Sequence, residues 1–233
     1  MLETELPTKQ PTALTGNPWA ITGAVLYLLE WVAIIAAAPP GPFGPGTAAT
    51  KIATEYSDHA RNAAVAAAWF AVVVAGRVLF VAGVKASLRH RPRERPLLDL
   101  ALGAMAISVA LEVAAYGIVA ATARLAADGA SRGLLVGLDG TAYWLNLLIW
   151  GPLGVSVLAC GVAMLRSHLY ASWLCWLGVV AGAAGIVACL VTSFVTDSSG
   201  SGPADAMTSL PAMGMWVWMI ATGIVLVRRP AEA

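Results

Sequence analysis

LLDLALGAMAISVALEVAAYGIVAATA, residues 97–123, contains no lysine, arginine or proline, and its only charged groups are Asp99 near the start and Glu112 near the middle. About 20 mainly apolar residues, rising about 1.5 Å each as a helix, cross the hydrocarbon core of a bilayer. This stretch is long enough to do so, and water is a poor solvent for it. Working outward, the same test picks out residues 18–38 and 62–85 before it and 141–165, 172–195 and 210–227 after it. The expected fold is therefore all-α: a polytopic membrane helix bundle of six transmembrane helices over 18–229, with short tails at 1–17 and 230–233.

Composition agrees with that solvent. Of the 233 residues, 59% are hydrophobic and 12% charged, against about 45–50% and 25% in soluble domains. A net charge of +1 provides no basic face for phosphate contacts, which argues against nucleic acid as a partner. Cys160, Cys175 and Cys189 lie in apolar segments without CxxC spacing, so they read as small packing residues and neither a metal site nor a disulfide framework is expected. No cofactor signature is present. The opening MLETELPTKQ lacks a basic cluster, and the first apolar segment lacks a small-residue cleavage site, so that helix is expected to stay in the mature protein.

Pro39 and Pro40 followed by GPFGPG end the first helix, RHRPRERP makes a polar turn after the second, and SSGSGP at 198–203 separates the last two. Between the first two spans, ATKIATEYSDHARNAA reads as a short surface helix. With the N-terminus inside, Lys9, Lys85, Arg89, Arg91, Arg93, Arg95, Arg166, Arg228 and Arg229 fall on the cytoplasmic side, and Lys51, Arg61, Arg124 and Arg132 outside. Nine against four predicts an N-in, C-in multi-pass protein of the inner (plasma) membrane. Membrane lipids are its expected surroundings, with anionic headgroups as secondary partners of the basic turn. Oligomeric state is left open.

LYLLEW at 26–31, TAATKIATEYSDHARNAAVAAAW at 47–69 and LRSHLYASWLCWLGVVAG at 165–182 are similar to a group of uncharacterised six-helix membrane proteins of actinobacteria. The resemblance spans roughly residues 17–190 and implies a topology, with no activity attached.

Ionisable groups at membrane depth cost about 2.5–3.5 kcal/mol each on insertion scales and mark candidate sites. Glu30, Arg77 and Glu112 qualify, at depths that let them meet inside the bundle. Helical spacing supports inward faces: Tyr27, Glu30 and Trp31; Glu112 and Tyr116; Tyr143, Asn146 and Trp150; Trp69 and Arg77. Glu30 with Arg77 is a self-satisfying pair that fixes helix register as readily as it performs chemistry. Glu112 is then left without an obvious partner, and a buried carboxyl without a cation holds its proton at neutral pH, the state a general acid requires. Trp19, Trp173, Trp176 and Tyr170 read as interfacial anchors. Trp31, Trp69 and Trp150 sit deeper, as pocket wall or as packing. Of Trp216 and Trp218, two residues apart, one is expected to face lipid. Gly178 and Gly182 form a GxxxG for close helix approach, and Gly151, Pro152 and Gly154 are expected to bend the fourth span directly after Trp150.

Size, helix content and buried acids also resemble the small integral-membrane terpene cyclases of meroterpenoid pathways, whose best-known members have seven spans. That resemblance implies an enzyme acting on an apolar isoprenoid or lipid substrate, with Glu30 or Glu112 as general acid. Arg77, Tyr27, Trp31, Trp69, Tyr116, Asn146 and Trp150 would then form the substrate site, Arg77 holding its partner carboxyl ionised and the aromatic faces steadying a carbocation. Two further readings come from the residues themselves: a small carrier or ligand-binding protein with a Glu/Arg relay, and a structural subunit whose buried charges serve folding alone.

Overall fold

A computed structural model describes residues 18–195 and 202–228; the two tails lie outside the described residues. Helices account for nearly all of it, and no strand occurs among the described residues. In chain order they are α1 (Pro18–Ala37), α2 (Ala49–Asp58), α3 (Ala60–Val73), α4 (Ala75–Ser87), a 3-10 turn (Pro92–Glu94), α5 (Arg95–Ala127), α6 (Arg132–Leu148), α7 (Trp150–Ser167), α8 (Ser172–Val195) and α9 (Gly202–Arg228). The chain is an all-helical membrane protein: five of its described helical runs, Ala60–Ser87, Pro92–Ala127, Arg132–Ser167, Ser172–Thr192 and Leu210–Arg228, are long and apolar enough to cross a bilayer. In α1 the described apolar run is Ile21–Glu30.

Two expected spans are continuous in direction but broken in register. The segment expected at 62–85 divides at Val74, whose carbonyl accepts the Arg77 N–H at 3.1 Å, a three-residue spacing that tightens the turn just ahead of α4. The segment expected at 141–165 begins nine residues earlier, at Arg132, and breaks at Ile149, one residue before Trp150 rather than after it. Pro152 explains the position. It has no N–H to give the Leu148 carbonyl, so the chain restarts a helix at Trp150 and places the proline within its first turn, where a missing donor costs little. The short helix expected outside the first two spans forms as α2, separated from α3 at His59.

Close backbone approach holds two helix pairs together. A Cβ on Gly154 of α7 would lie 2.6 Å from the Gly182 carbonyl oxygen of α8, and one on Gly161 would lie 2.7 Å from the Val179 nitrogen. Across α1 and α4, a Cβ on Gly23 would lie 2.6 Å from the Phe80 nitrogen. Gly178 opens the space into which the Trp218 indole seats. The main core gathers Tyr27, Phe80, Met105, Val157, Met164 and Trp218 from five of the spans, and a second, outer core packs Ile52 and Tyr56 of α2 against Val119 and Leu135. Cys160, Cys175 and Cys189 are buried in this packing and are not joined in a disulfide.

Outside the core, large apolar side chains such as Ile35, Val72, Ile107, Val187 and Phe194 are exposed around the bundle, as a lipid-facing surface requires. Trp19, Trp173 and Trp176 are exposed too, in keeping with anchor positions. Tyr170 differs from expectation: it is buried, and its hydroxyl pairs with Ser87 Oγ. That bond brings the end of α4 and the turn between α7 and α8 to one end of the bundle.

The glycine seam makes a direct prediction. Gly182→Val forces three carbons against the Leu158 backbone and should cost about 1–3 kcal/mol, seen as a lowered midpoint in thermal unfolding of the detergent-purified protein. Gly103→Ala, at a position with nothing within 4 Å of a Cβ, should leave that midpoint unchanged or slightly raised.

Candidate functional site

Three ionisable side chains from three helices meet in the interior. Arg77 stands in the first turn of α4, Glu30 in the second half of α1 and Glu112 near the midpoint of α5; they are 7%, 4% and 7% exposed. Arg77 Nε–H donates to Glu30 Oε2 at 3.1 Å, and one NH2 proton donates to Glu30 Oε1. NH1 donates to Glu112 Oε2 at 2.6 Å and NH2 to Glu112 Oε1 at 3.3 Å. One guanidinium thus serves both carboxyls through four of its five N–H bonds, and each of the four carboxylate oxygens accepts one.

This corrects the expectation that Glu112 has no cation beside it. Helical-face arithmetic puts each residue on an inward face but does not say how many partners an arginine's planar fork can reach at once. Because α1 and α5 both pack on α4, the fork is filled from two helices. The cluster holds two carboxyls against one guanidinium, so it carries −1 when both are ionised and is neutral with one proton.

Beside the cluster lies a cavity of about 150 Å³. Tyr27, Glu30, Arg77, Glu112, Asn146 and Trp150 line it, which unites six of the residues singled out from sequence. Ile149 and Leu153 at the α6–α7 break and Met215, Trp216 and Met219 of α9 complete the wall. Those five were not anticipated as site residues; the spacing of 215, 216 and 219 on one face of α9 is the signal that finds them. Trp216 and Trp218 both turn inward: Trp216 to the cavity, and Trp218 into the core edge-on to Phe80, with ring centroids 5.8 Å apart. Neither takes the lipid-facing position expected for one of them.

Two anticipated residues stand elsewhere. Trp69 is 41% exposed on the outer side of α3, where its indole N–H donates to the Leu29 carbonyl at 2.9 Å. Eight residues along a helix already miss alignment by about 80°, and the Val74 break shifts the phase of Arg77 further. Tyr116 stacks on Phe70, with centroids 4.0 Å apart and planes at 12°, one turn beyond the cavity. The Trp31 side chain lies outside the described residues.

A buried carboxylate outside the cluster went unforeseen. Asp139, fully buried in α6, accepts the backbone N–H groups of Phe43 at 3.0 Å and Gly44 at 3.1 Å and the Tyr56 hydroxyl at 2.7 Å. Starting the fourth span at 141 left Asp139 in a presumed loop, where an aspartate attracts no notice. Burial, and then the bond and charge of Asp139, push the Tyr56 phenol well above its usual range, so it remains a donor throughout the neutral and mildly alkaline range. Every contact of Asp139 fastens the 38–48 loop and α2 onto α6; this is a clamp, outside the cavity. His59 and Glu55 form a loose, half-exposed pair at 3.8 Å nearby.

Comparison with protein families, characterised proteins and solved structures finds no match to the chain.

Two predictions follow from the two buried networks. Arg77→Met leaves both carboxyls uncompensated and should destabilise the protein by about 3–5 kcal/mol, whereas the triple variant Glu30→Leu, Arg77→Met, Glu112→Leu should recover most of the loss; unfolding in mixed micelles measures both. Asp139→Ala should cost about 2–3 kcal/mol and, in hydrogen–deuterium exchange, speed exchange at Phe43 and Gly44 while leaving the amides of α4 unchanged.

Proposed function

We propose that the chain is a six-span, N-in, C-in protein of the plasma membrane that binds a small ligand beside the Glu30–Arg77–Glu112 cluster and exchanges a proton there, as a carrier or ligand-binding protein. One observation carries the reading: three spans contribute an ion cluster with one more carboxyl than guanidinium, walled on one side by a cavity. A single proton switches such a cluster between −1 and neutral, and a low-dielectric surrounding makes that change felt by whatever shares the cavity. Its position adds support. The helix breaks at Val74 and Ile149 both lie next to the cluster or its cavity, and interrupted spans that supply polar groups at mid-membrane are the usual architecture of secondary transporters.

Volume sets the size of ligand. About 150 Å³ is room for roughly five waters at about 30 Å³ each, below the roughly 300–1,000 Å³ of pockets for drug-sized molecules. A small polar or ionised group fits; an isoprenoid requires the cavity to widen.

One observation favours the enzyme reading as a second possibility. Tyr27 and Met219 line both the cavity and an apolar crevice of about 320 Å³ between α1 and α9, so a lipid-soluble substrate has a route from the bilayer to the cluster past two side chains. For cyclisation of an isoprenoid, Glu30 or Glu112 would release its bond to Arg77 and deliver a proton, and the faces of Tyr27, Trp150 and Trp216 would steady the cation.

Infrared difference spectroscopy of the reconstituted protein across pH separates the possibilities. A protonated-carboxyl band that titrates, and disappears in either Glu30→Gln or Glu112→Gln, is expected. Absence of such a band at every pH would reduce the cluster to a fixed structural triad. Conversion of linear, epoxidised or indole-linked prenyl compounds to cyclised products, lost in the same glutamine variant, would replace the carrier reading with the enzyme.

A further inference from the structure

At the end of the bundle marked by the Ser87–Tyr170 bond, α4 hands over to α5 through the Pro92–Glu94 turn. A groove of about 420 Å³ opens there, rimmed by Lys85, Arg89, Arg91 and Arg95. Its floor is apolar, from Ala82 and Ala86 of α4 to Leu98 of α5. Against the four basic side chains stands Asp99, which Lys85 and Arg95 share, the latter at 3.9 Å. Glu94 is buried and does not line the groove. The rim therefore carries three positive charges in excess of its one carboxylate.

We propose that this groove is a binding site for an anionic phospholipid, with the headgroup phosphate held by Arg89, Arg91 and Arg95 and the upper acyl chain laid along Ala82, Ala86 and Leu98. Three features select that ligand. The groove joins a cationic rim to an apolar floor, the two halves of a phospholipid, whereas a free phosphate or a nucleotide makes no use of the floor. It lies where two spans end, the level at which headgroups sit, and basic pockets between spans on the expected cytoplasmic side suit anionic headgroups. Pro92 and Pro96, each in the first turn of its helix, stiffen the backbone carrying Arg91 and Arg95, so little freedom is lost on binding. A basic turn that served topology alone needs only its charge, with no groove beneath it.

The test uses the full chain purified in an uncharged detergent, with lipid retention read by native mass spectrometry and protection by thermal shift. Phosphatidylglycerol should be retained and should raise the melting temperature, while phosphatidylcholine and inorganic phosphate at the same concentration should not. Arg89→Gln with Arg91→Gln should weaken phosphatidylglycerol binding on the order of tenfold, and Arg124→Gln, an exposed residue paired with Asp128, should not. Ala86→Trp fills the floor without touching the charge and should weaken binding as well, which keeps the test decisive if the arginine variant folds poorly. Equal retention of phosphatidylcholine, equal protection by inorganic phosphate, or undiminished binding by both groove variants would overturn the proposal.

Discussion

The centre of the bundle is organised around one guanidinium. An arginine at mid-depth of a helix bundle must find acceptors for its N–H groups within the chain, because hydrocarbon offers none. Arg77 finds them on two neighbours, and in doing so ties α1, α4 and α5 together at a single point. Dispersion alone holds lipid-embedded helices weakly in register, since lipid tails are as apolar as leucine. The Glu–Arg–Glu bonds and the glycine seams supply what that packing lacks: direction in one case, contact distance in the other.

Much of this was legible in the chain. Apolar length and the spacing of prolines marked the spans, and the rarity of charge inside them drew attention to Glu30, Arg77 and Glu112, which do meet. The GxxxG at Gly178 and Gly182 read correctly as packing, though each glycine serves a different neighbour: Gly182 meets α7, and Gly178 gives way to Trp218. What escaped was phase and partnership. Eight residues of helix already turn Trp69 and Arg77 apart, and the tightened turn at Val74 adds to it, although their spacing looked compatible. Hydropathy windows also blur helix ends, which hid Asp139 by placing it two residues outside a span.

Met215 and Met219 show a different limit. Methionine is flexible enough to fill irregular space, and residue type alone does not distinguish a cavity wall from ordinary core. The spacing of 215, 216 and 219 puts them on one face, and the packing of α9 on α1 and α8 turns that face to the cavity. Asn146, singled out by its spacing from Tyr143 and Trp150, borders the cavity from an exposed position on α6.

The Asp139 clamp acquires a mechanical meaning once the length of α6 is considered. One end of this helix borders the cavity at the Ile149 break; near its middle, Asp139 grips the backbone of the 38–48 loop and the phenol of α2. The helix is thus a lever with a joint at one end and a load fastened near its middle. Any tilt of α6 about Ile149 must either carry the loop and α2 along as one body or break three hydrogen bonds to a buried carboxylate. The 38–48 loop with α2 and the cavity are geared together through this one helix.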